Sequence, residues 1–344
     1  MNATTETIAA TPGEPGLFLA LAPMDGITCS AYREVITAQG PEDCPEHCGI
    51  SLCVTEFIRV TSHAVPEAVL RREVPELATG GRTRAGVPVA VQLLGGKPEP
   101  MAETAARLAE IGALGIDLNF GCPAKTVNNH DGGASLLRTP CRVEGVIAAV
   151  RAAVPASVSV SAKIRLGWDH SNHVADLARA AEQGGASWLT IHARTRLQQY
   201  APPVDWVAIG RARVAVTMPV VANGDLCTVE DVARCAEQSG CTAFMIGRAA
   251  MGDPRLFQRL RGATHGNFDG PWMRALLLGY VAALRAAGYS EHATLGRVKQ
   301  WLRLAAPMHA PVHEAFMQAK SATLLPAALA TLDPWALAVA ERAA

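Results

Sequence analysis

The sequence predicts an α/β fold, a (β/α)8 TIM barrel followed by a smaller all-helical C-terminal domain. Eight short apolar runs recur through the first 250 residues, and most are continuously apolar, as strands buried on both faces are. Amphipathic helical patterns lie between several of these runs. After residue 261 the strand-like runs stop, and helical patterns alone continue.

The predicted strands, in chain order, are residues 17–24, 52–58, 87–95, 115–122, 158–166, 187–193, 219–223 and 243–246. Helical stripes of apolar side chains are found at 101–111, 142–154 and 173–184. A further helix is expected to begin after Thr228, a typical N-cap, with Asp231 in its first turn and Gly240 after its end. This alternation matches a barrel. The alternative, a doubly wound open sheet, is disfavoured because no G-x-G-x-x-G turn follows any predicted strand.

Three parts are expected along the chain. Residues 1–16 lack both a basic start and an apolar block, which predicts a disordered lead-in and no secretory signal. Residues 17–261 form the predicted barrel. Residues 262–344 begin with a polar, turn-rich stretch and form the predicted helical domain, with helices at 272–288, 295–308, 312–321, 326–331 and 334–343.

Composition excludes several classes of protein. With 49% hydrophobic and 18% charged residues, the chain is neither disordered nor fibrous. Its longest apolar run, residues 275–284, is about half of what a bilayer requires, so we expect no membrane partner. Nine cysteines in 344 residues are too few for a disulfide scaffold, which favours a reducing cytoplasm. The balance of 31 basic and 31 acidic side chains argues against a protein coated with nucleic acid, but it permits a local basic face.

Polar or charged residues end every predicted strand, and in a barrel these ends share the face that carries function. Gly224 and Gly247 stand in the turns after the seventh and eighth strands, where backbone N–H groups and a following helix can hold an anion. Arg248 would add charge-assisted donors, so we predict a phosphorylated cofactor. A polar, partly cationic wall suited to an electron-rich heterocycle would be formed by Gln92, Lys163 and His192.

Seven motifs stand at these strand ends. They are Ala-Pro-Met-Asp-Gly at 22–26, Val-Gln-Leu at 91–93, Asn-Phe-Gly-Cys-Pro-Ala-Lys at 119–125 with Gly-Gly-Ala at 132–134, Lys-Ile-Arg-Leu-Gly-Trp at 163–168, Ile-His-Ala-Arg at 191–194, Asn-Gly-Asp at 223–225 and Ile-Gly-Arg at 246–248. Together they resemble the tRNA-dihydrouridine synthases, and the resemblance covers residues 17–340. Segments 53–60 and 297–302 look like the bacterial C-type subfamily, which acts on the uridine at position 16 of tRNA.

The resemblance implies an FMN-dependent oxidoreductase that uses NADPH to reduce a uridine of the tRNA D-loop to 5,6-dihydrouridine. Reduced flavin would give a hydride to C6 of the base, and Cys122 would give the proton to C5, since a thiol with a pKa of about 8.5 is protonated near neutrality. The base must leave its stack to reach the flavin. By the same resemblance, FMN would be bound by Pro23, Met24, Asp25, Gln92, Lys163, His192, Asn223, Gly224, Asp225, Gly247 and Arg248.

The resemblance also makes tRNA and NADPH the partners of the protein, and nothing in the sequence demands more than a monomer. The helical domain would clamp the tRNA. The tRNA contacts would be made by Arg59, Asn119, Arg165, Lys299 and Gln300.

Residues 39–51 look inserted relative to the family pattern, and Phe120 stands where a small residue is more usual. The inserted loop lies on the expected mouth side, where it could alter the contact with tRNA. Cys44, His47 and Cys48, with Cys53 nearby, have loose metal-ligand character, but they do not match the usual zinc spacing. We therefore predict no metal.

Two alternatives stay open from the sequence. An FMN-dependent barrel reductase of a free pyrimidine or enone would keep the barrel and the phosphate site without any need for Arg59 or Lys299. A non-catalytic RNA-binding protein with a degenerate barrel is the second alternative, and the intact set of Cys122, Lys163 and His192 argues against it.

Overall fold

A computed structural model describes residues 11–13, 16–39, 48–263 and 269–337. The strands are β1 (Phe18–Leu21), β2 (Leu52–Val54), β3 (Ile58–Arg59), β4 (Val89–Leu94), β5 (Gly115–Asn119), β6 (Ser159–Arg165), β7 (Trp188–His192), β8 (Val220–Asn223) and β9 (Ala243–Ile246). The α-helices are α1 (Ser30–Thr37), α2 (Glu67–Glu73), α3 (Pro98–Glu110), α4 (Lys125–Asn128), α5 (Pro140–Ala153), α6 (Val174–Gln183), α7 (Trp206–Arg213), α8 (Val229–Ser239), α9 (Ala249–Gly252), α10 (Leu256–Leu260), α11 (Gly270–Ala286), α12 (Glu291–Ala305), α13 (Ala310–Ala319), α14 (Leu325–Ala330) and α15 (Pro334–Leu337). Two 3-10 helices span Pro75–Thr79 and Gly133–Arg138.

The strands form a closed parallel barrel, which confirms the predicted fold class. Neighbouring strands pair in the order β2-β1-β9-β8-β7-β6-β5-β4, and a β2–β4 pairing closes the ring. The second predicted strand is observed as β2 and β3, which both pair with β4. Between them, the backbone N–H of Gln92 donates to the Thr55 hydroxyl at 2.9 Å instead of to a carbonyl, so the ladder is interrupted there.

The barrel core consists of apolar side chains from several strands, as near-continuous apolar runs predict. One buried cluster contains Phe18, Ala20, Ala22, Leu52, Val54, Ala90, Trp188, Val221, Ala243 and Met245. Around the barrel, the predicted cap of α8 is confirmed. The Thr228 hydroxyl accepts from the N–H of Asp231, the Asp231 carboxylate accepts from the N–H of Thr228, and Gly240 ends the helix at φ 68°.

The chain divides into two compact units, one of Met1–Pro23 with Ile50–Ile246 and the other of Met24–Gly49 with Gly247–Ala344. The first is the barrel. In the second, α1 packs against α11, and Tyr32, Tyr280 and Trp301 form a buried aromatic cluster with ring centroids 5.0–6.1 Å apart. The predicted C-terminal helices correspond to α11–α15. The predicted domain boundary at residue 261 stays a prediction.

Parts of the sequence predictions lie outside the described residues, namely most of the lead-in and the loop positions Cys44 and His47. Within the described ranges, no group of three or more His, Cys, Asp or Glu side chains could hold a metal ion. No described helix combines the length and the apolar character needed to cross a membrane.

Candidate active site

The strand register brings the predicted polar side chains of the barrel together at the carboxyl ends of β4–β8. Directly paired residues on neighbouring strands are Gln92 and Asp117, Asn119 and Lys163, Arg165 and His192, and His192 and Asn223. In a parallel barrel, residues at these positions border one mouth.

A chain of hydrogen-bonded side chains starts at the buried Asp117 carboxylate and continues through two amides. The Asp117 carboxylate accepts hydrogen bonds from the Ser161 hydroxyl and from Nε2 of Gln92, both at 2.6 Å. Nδ2 of Asn119 then donates to Oε1 of Gln92 at 2.8 Å. Because a carboxylate is an acceptor only, Asp117 fixes which end of the Gln92 amide faces Asn119.

The loop that carries Cys122 is held by the same chain. Oδ1 of Asn119 accepts from the backbone N–H groups of Gly121 at 2.9 Å and of Cys122 at 3.0 Å. Gly133 adopts φ 59°, and a Cβ there would lie 3.0 Å from Cβ of Cys122, so glycine is needed at this position for close approach. The half-buried Cys122 therefore stands on a preorganised backbone.

Lys163 and His192 share one acceptor. Oδ1 of Asn223 accepts from Nζ of Lys163 at 3.2 Å and from Nδ1 of His192 at 2.9 Å. Nδ2 of Asn223 donates to the carbonyl of Met245 at 2.7 Å, which sets the orientation of this amide. His192 must then carry its proton on Nδ1, and its buried Nε2 is an acceptor that has no partner among the described residues.

The ionisable groups of this cluster are shifted away from their charged forms. Burial, with the nearby Arg165 charge, lowers the pKa of Lys163 to about 8. Burial and the charges of Lys163 and Arg165 hold the pKa of His192 well below its ordinary value. Burial also raises the pKa of Asp117, against the opposing hydrogen bonds from Gln92 and Ser161. The positive charge of Lys163 is thus not fully compensated by its surroundings, and an electron-rich group beside it would be stabilised.

The turn after β8 is rigid. Gly224 adopts φ 122°, and a Cβ there would lie 3.1 Å from Cβ of Ala193. The Gly224 carbonyl accepts from the indole N–H of Trp206 at 3.0 Å. Asp225 is left-handed at φ 49° and is bound by both terminal nitrogens of the buried Arg194, at 3.1 and 2.5 Å. A turn of this kind can present its backbone to an anion.

Arg165, predicted as a tRNA contact, is 3% exposed. Its Nε donates to the carbonyl of Gly121 at 2.8 Å, and its Nη1 donates to the carbonyls of Thr195 and Gln199 at 3.1 and 2.6 Å. The guanidinium therefore ties the Cys122 loop to the loop after β7. Arg59, by contrast, is exposed at the end of β3.

The remaining predicted residues are distributed over both units. Pro23 closes the first segment of the barrel unit and is half-buried, whereas Met24, Asp25, Gly247 and Arg248 belong to the second unit. In that unit, Lys299 and Gln300 line a recess of about 510 Å³ on α12. Nζ of Lys299 donates to the carbonyls of Lys320 and Ala322, at 3.1 and 2.5 Å, beyond the end of α13.

Three residues of the cluster were missed by the sequence analysis. Asp117 lies two positions before Asn119 on β5, and Arg194 lies two positions after His192, just beyond β7, so a two-residue period could have identified them. Tyr200 has no such signal. Its 56%-exposed ring lies beside the Arg165 guanidinium at 5.3 Å and the His192 ring at 6.3 Å.

Fold and site together define a class, that of parallel-barrel proteins with a cationic, partly desolvated mouth and a thiol beside it. The chain belongs to the dihydrouridine synthase family, whose model matches residues 20–317. This confirms the resemblance identified in the motifs.

Among its relatives are proteins named tRNA-dihydrouridine(16) synthase. The one from Cupriavidus necator is 47% identical over 83% of this chain and 86% of its own length. The one from Ralstonia nicotianae is 45% identical over 86% of this chain and 90% of its own. The one from Escherichia coli K12 is 42% identical over 82% of this chain and 87% of its own length. The old yellow enzyme of Trypanosoma cruzi, with a TM-score of 0.50 at 12% identity over 77% of this chain and 93% of its own, shares the fold.

Proposed function

We propose that this protein reduces the uridine at position 16 of tRNA, in the D-loop, to 5,6-dihydrouridine, with FMN as cofactor and NADPH as reductant. The observation that carries the proposal is the half-buried Cys122 thiol on a loop fixed by Asn119, at a mouth where the charge of Lys163 is only partly compensated by Asp117. The names of the relatives support tRNA and position 16.

The residues at the mouth fit a flavin. Within the described ranges, the Lys163 ammonium donates one of its three N–H groups, to Asn223, and its pKa is lowered. It therefore suits the polar edge of a ring that becomes anionic on reduction. Nε2 of His192, an acceptor with no partner in the described part of the chain, suits a ribityl hydroxyl. The Asn223-Gly224-Asp225 turn, held by Trp206 and Arg194, suits the phosphate. The family resemblance adds Gly247 and Arg248 as proposed phosphate contacts. Pro23, Met24 and Asp25 would pack around the ring, with Gln92 at its polar edge.

Bound FMN would supply a two-electron carrier that NADPH reduces and that passes a hydride to carbon. The chain supplies the rest. Sγ of Cys122 holds the proton that the C5 position of the base needs. The Asn119 amide donates one N–H to Gln92, and its oxygen accepts from the backbone N–H groups of Gly121 and Cys122. Its second N–H is therefore the group that we assign to a carbonyl of uracil.

We propose that the tRNA itself is bound by Arg59, which is exposed at the mouth, and by the half-buried Lys299 and Gln300 in the recess on α12. Since the buried Arg165 gives most of its donors to backbone carbonyls, we propose that it acts on the base by positioning the Cys122 loop.

The test is to measure dihydrouridine at position 16 of unmodified tRNA after incubation with the protein and NADPH. Cys122→Ala should keep flavin and NADPH oxidation but lose at least about 100-fold in tRNA reduction, the contribution expected of a general acid. Cys141→Ala and Cys227→Ala, which remove exposed thiols, are the matched controls. Full turnover by Cys122→Ala would refute the role of the thiol.

The alternatives give different results in the same assay. Oxidation of the reduced flavin by free uridine, but not by tRNA, would indicate a reductase of small molecules. A protein that stays colourless after incubation with FMN would indicate a non-catalytic RNA-binding protein. Arg248→Ala should weaken FMN retention. An unchanged affinity for FMN would show that the phosphate is bound by other residues.

A further inference from the structure

Two guanidinium groups lie over one indole ring of the barrel unit. The Cζ atom of Arg138 is 3.8 Å from the centroid of the Trp168 ring, and that of Arg196 is 4.6 Å from it. Such stacking orients a guanidinium while leaving its N–H edge available. We name this cluster, Arg138 with Trp168 and Arg196, the arginine stack.

The arginine stack lies on the same side of the barrel as Cys122. Arg138 ends the 3-10 helix between β5 and α5, Trp168 follows β6, and Arg196 follows β7. These are three successive strand-to-helix loops, and in a parallel barrel such loops surround the mouth that holds the site.

Several other arginines of the barrel unit have an acidic partner. Arg71, Arg142, Arg179 and Arg234 each bind a carboxylate. Among the described residues, neither Arg138 nor Arg196 has a carboxylate within 4 Å or an acceptor for its side-chain donors. Nε of Arg196 is even buried without a partner.

Two uncompensated charges on one ring repel each other, and an anion with several oxygens would relieve that repulsion. The apolar surroundings favour a large partner. Leu197 and Tyr200, on the loop that carries Arg196, are each 56% exposed. A macromolecule that covers the loop would bury both, whereas a small anion would not.

We propose that the arginine stack binds backbone phosphates of the tRNA, at the rim of the barrel. The inference rests on the proposed function, since it assumes that tRNA is the substrate. It adds contacts to the RNA backbone to those proposed above for Arg59, Lys299 and Gln300.

The test measures the Kd of an unmodified tRNA transcript for the purified protein without NADPH, by fluorescence anisotropy at several salt concentrations. Arg138→Gln and Arg196→Gln should each raise Kd about five- to tenfold at low salt. Each should also reduce the slope of log affinity against log salt by about 0.7–0.9, the value of one phosphate contact. The double variant should lose about twice as much slope. Arg179→Gln, an exposed arginine on α6, is the matched control.

Trp168→Leu separates stacking from charge. It keeps both arginines, so it should raise Kd with little change in salt slope, and thermal unfolding checks that the variant is folded. If the double variant binds tRNA with the Kd and slope of Arg179→Gln, the inference is wrong. A raised KM for NADPH with unchanged tRNA affinity would also overturn the inference, because it would show that the arginine stack binds NADPH. Tight tRNA binding without formation of dihydrouridine would instead refute the proposed function alone.

Discussion

Replacing Lys163 by Met should change how the stability of the flavin-free protein depends on pH. Lys163 is held among barrel side chains, with the Asn223 amide oxygen as its hydrogen-bond acceptor at 3.2 Å. The Asp117 carboxylate attracts the charge, but burial outweighs this attraction and lowers the pKa of Lys163 to about 8. Holding a proton on this lysine therefore costs the folded state free energy.

The sign follows from the two pKa values, about 8 in the folded protein and 10.5 for an ordinary lysine. Below pH 8 both states hold the proton, and the folded state bears the whole cost. Between pH 8 and 10.5 the unfolded chain keeps a proton that the folded protein releases, so the free energy of unfolding rises with pH. Over these 2.5 pH units, at about 1.4 kcal/mol each, the rise in the free energy of unfolding is at most about 3.5 kcal/mol, and it is smaller because part of the side chain meets solvent.

The assay is urea unfolding of wild-type protein and Lys163→Met at pH 7.5, 9 and 10.5. The wild-type value minus the variant value should increase by about 2 kcal/mol across this range. Burial raises the pKa of the Cys235 thiol to about 12, which destabilises the folded state as the pH rises above 9.0, but this effect is common to both proteins and cancels in the difference. Lys125→Met removes an exposed lysine and is the control. A difference that stays constant with pH would refute the reasoning.

Further predictions concern single contacts. Arg194→Lys cannot reproduce the two-nitrogen contact with Asp225, so it should raise the Kd for FMN at least fivefold, as flavin fluorescence would report. The His192 imidazole should stay neutral from pH 6 to 8, because burial keeps its pKa well below 6.5, and its NMR resonances should not titrate in that range. Thr228→Ala should lower the free energy of unfolding by about 1 kcal/mol through loss of the α8 cap. Gly96→Ala would place a Cβ 1.9 Å from the carbonyl oxygen of Asp131 and should cost about 1–3 kcal/mol, measured by thermal unfolding.

The sequence predicted the barrel well because its strands are buried on both faces and appear as apolar runs that need no knowledge of their partners. It missed the interruption of the second strand, because this depends on the Thr55 hydroxyl replacing a carbonyl on a neighbouring strand. A contact between segments 37 residues apart leaves no local pattern. The compact second unit, which includes α1 with the C-terminal helices, depends on similar long-range packing.

For the site as well, the sequence predicts which residues lie at the mouth but not which acceptors they contact. Cys122 lies just after the end of β5 and Lys163 lies close to the end of β6, so position alone brings them to the mouth. Arg165 ends a strand as well, and the sequence could not reveal that its donors are used by carbonyls from two other loops. Whether a cation serves a ligand or the backbone depends on which acceptors surround it. The arginines that can reach the RNA are therefore expected among those that have no acceptor within the described ranges, such as Arg138, and not simply among those nearest to the thiol.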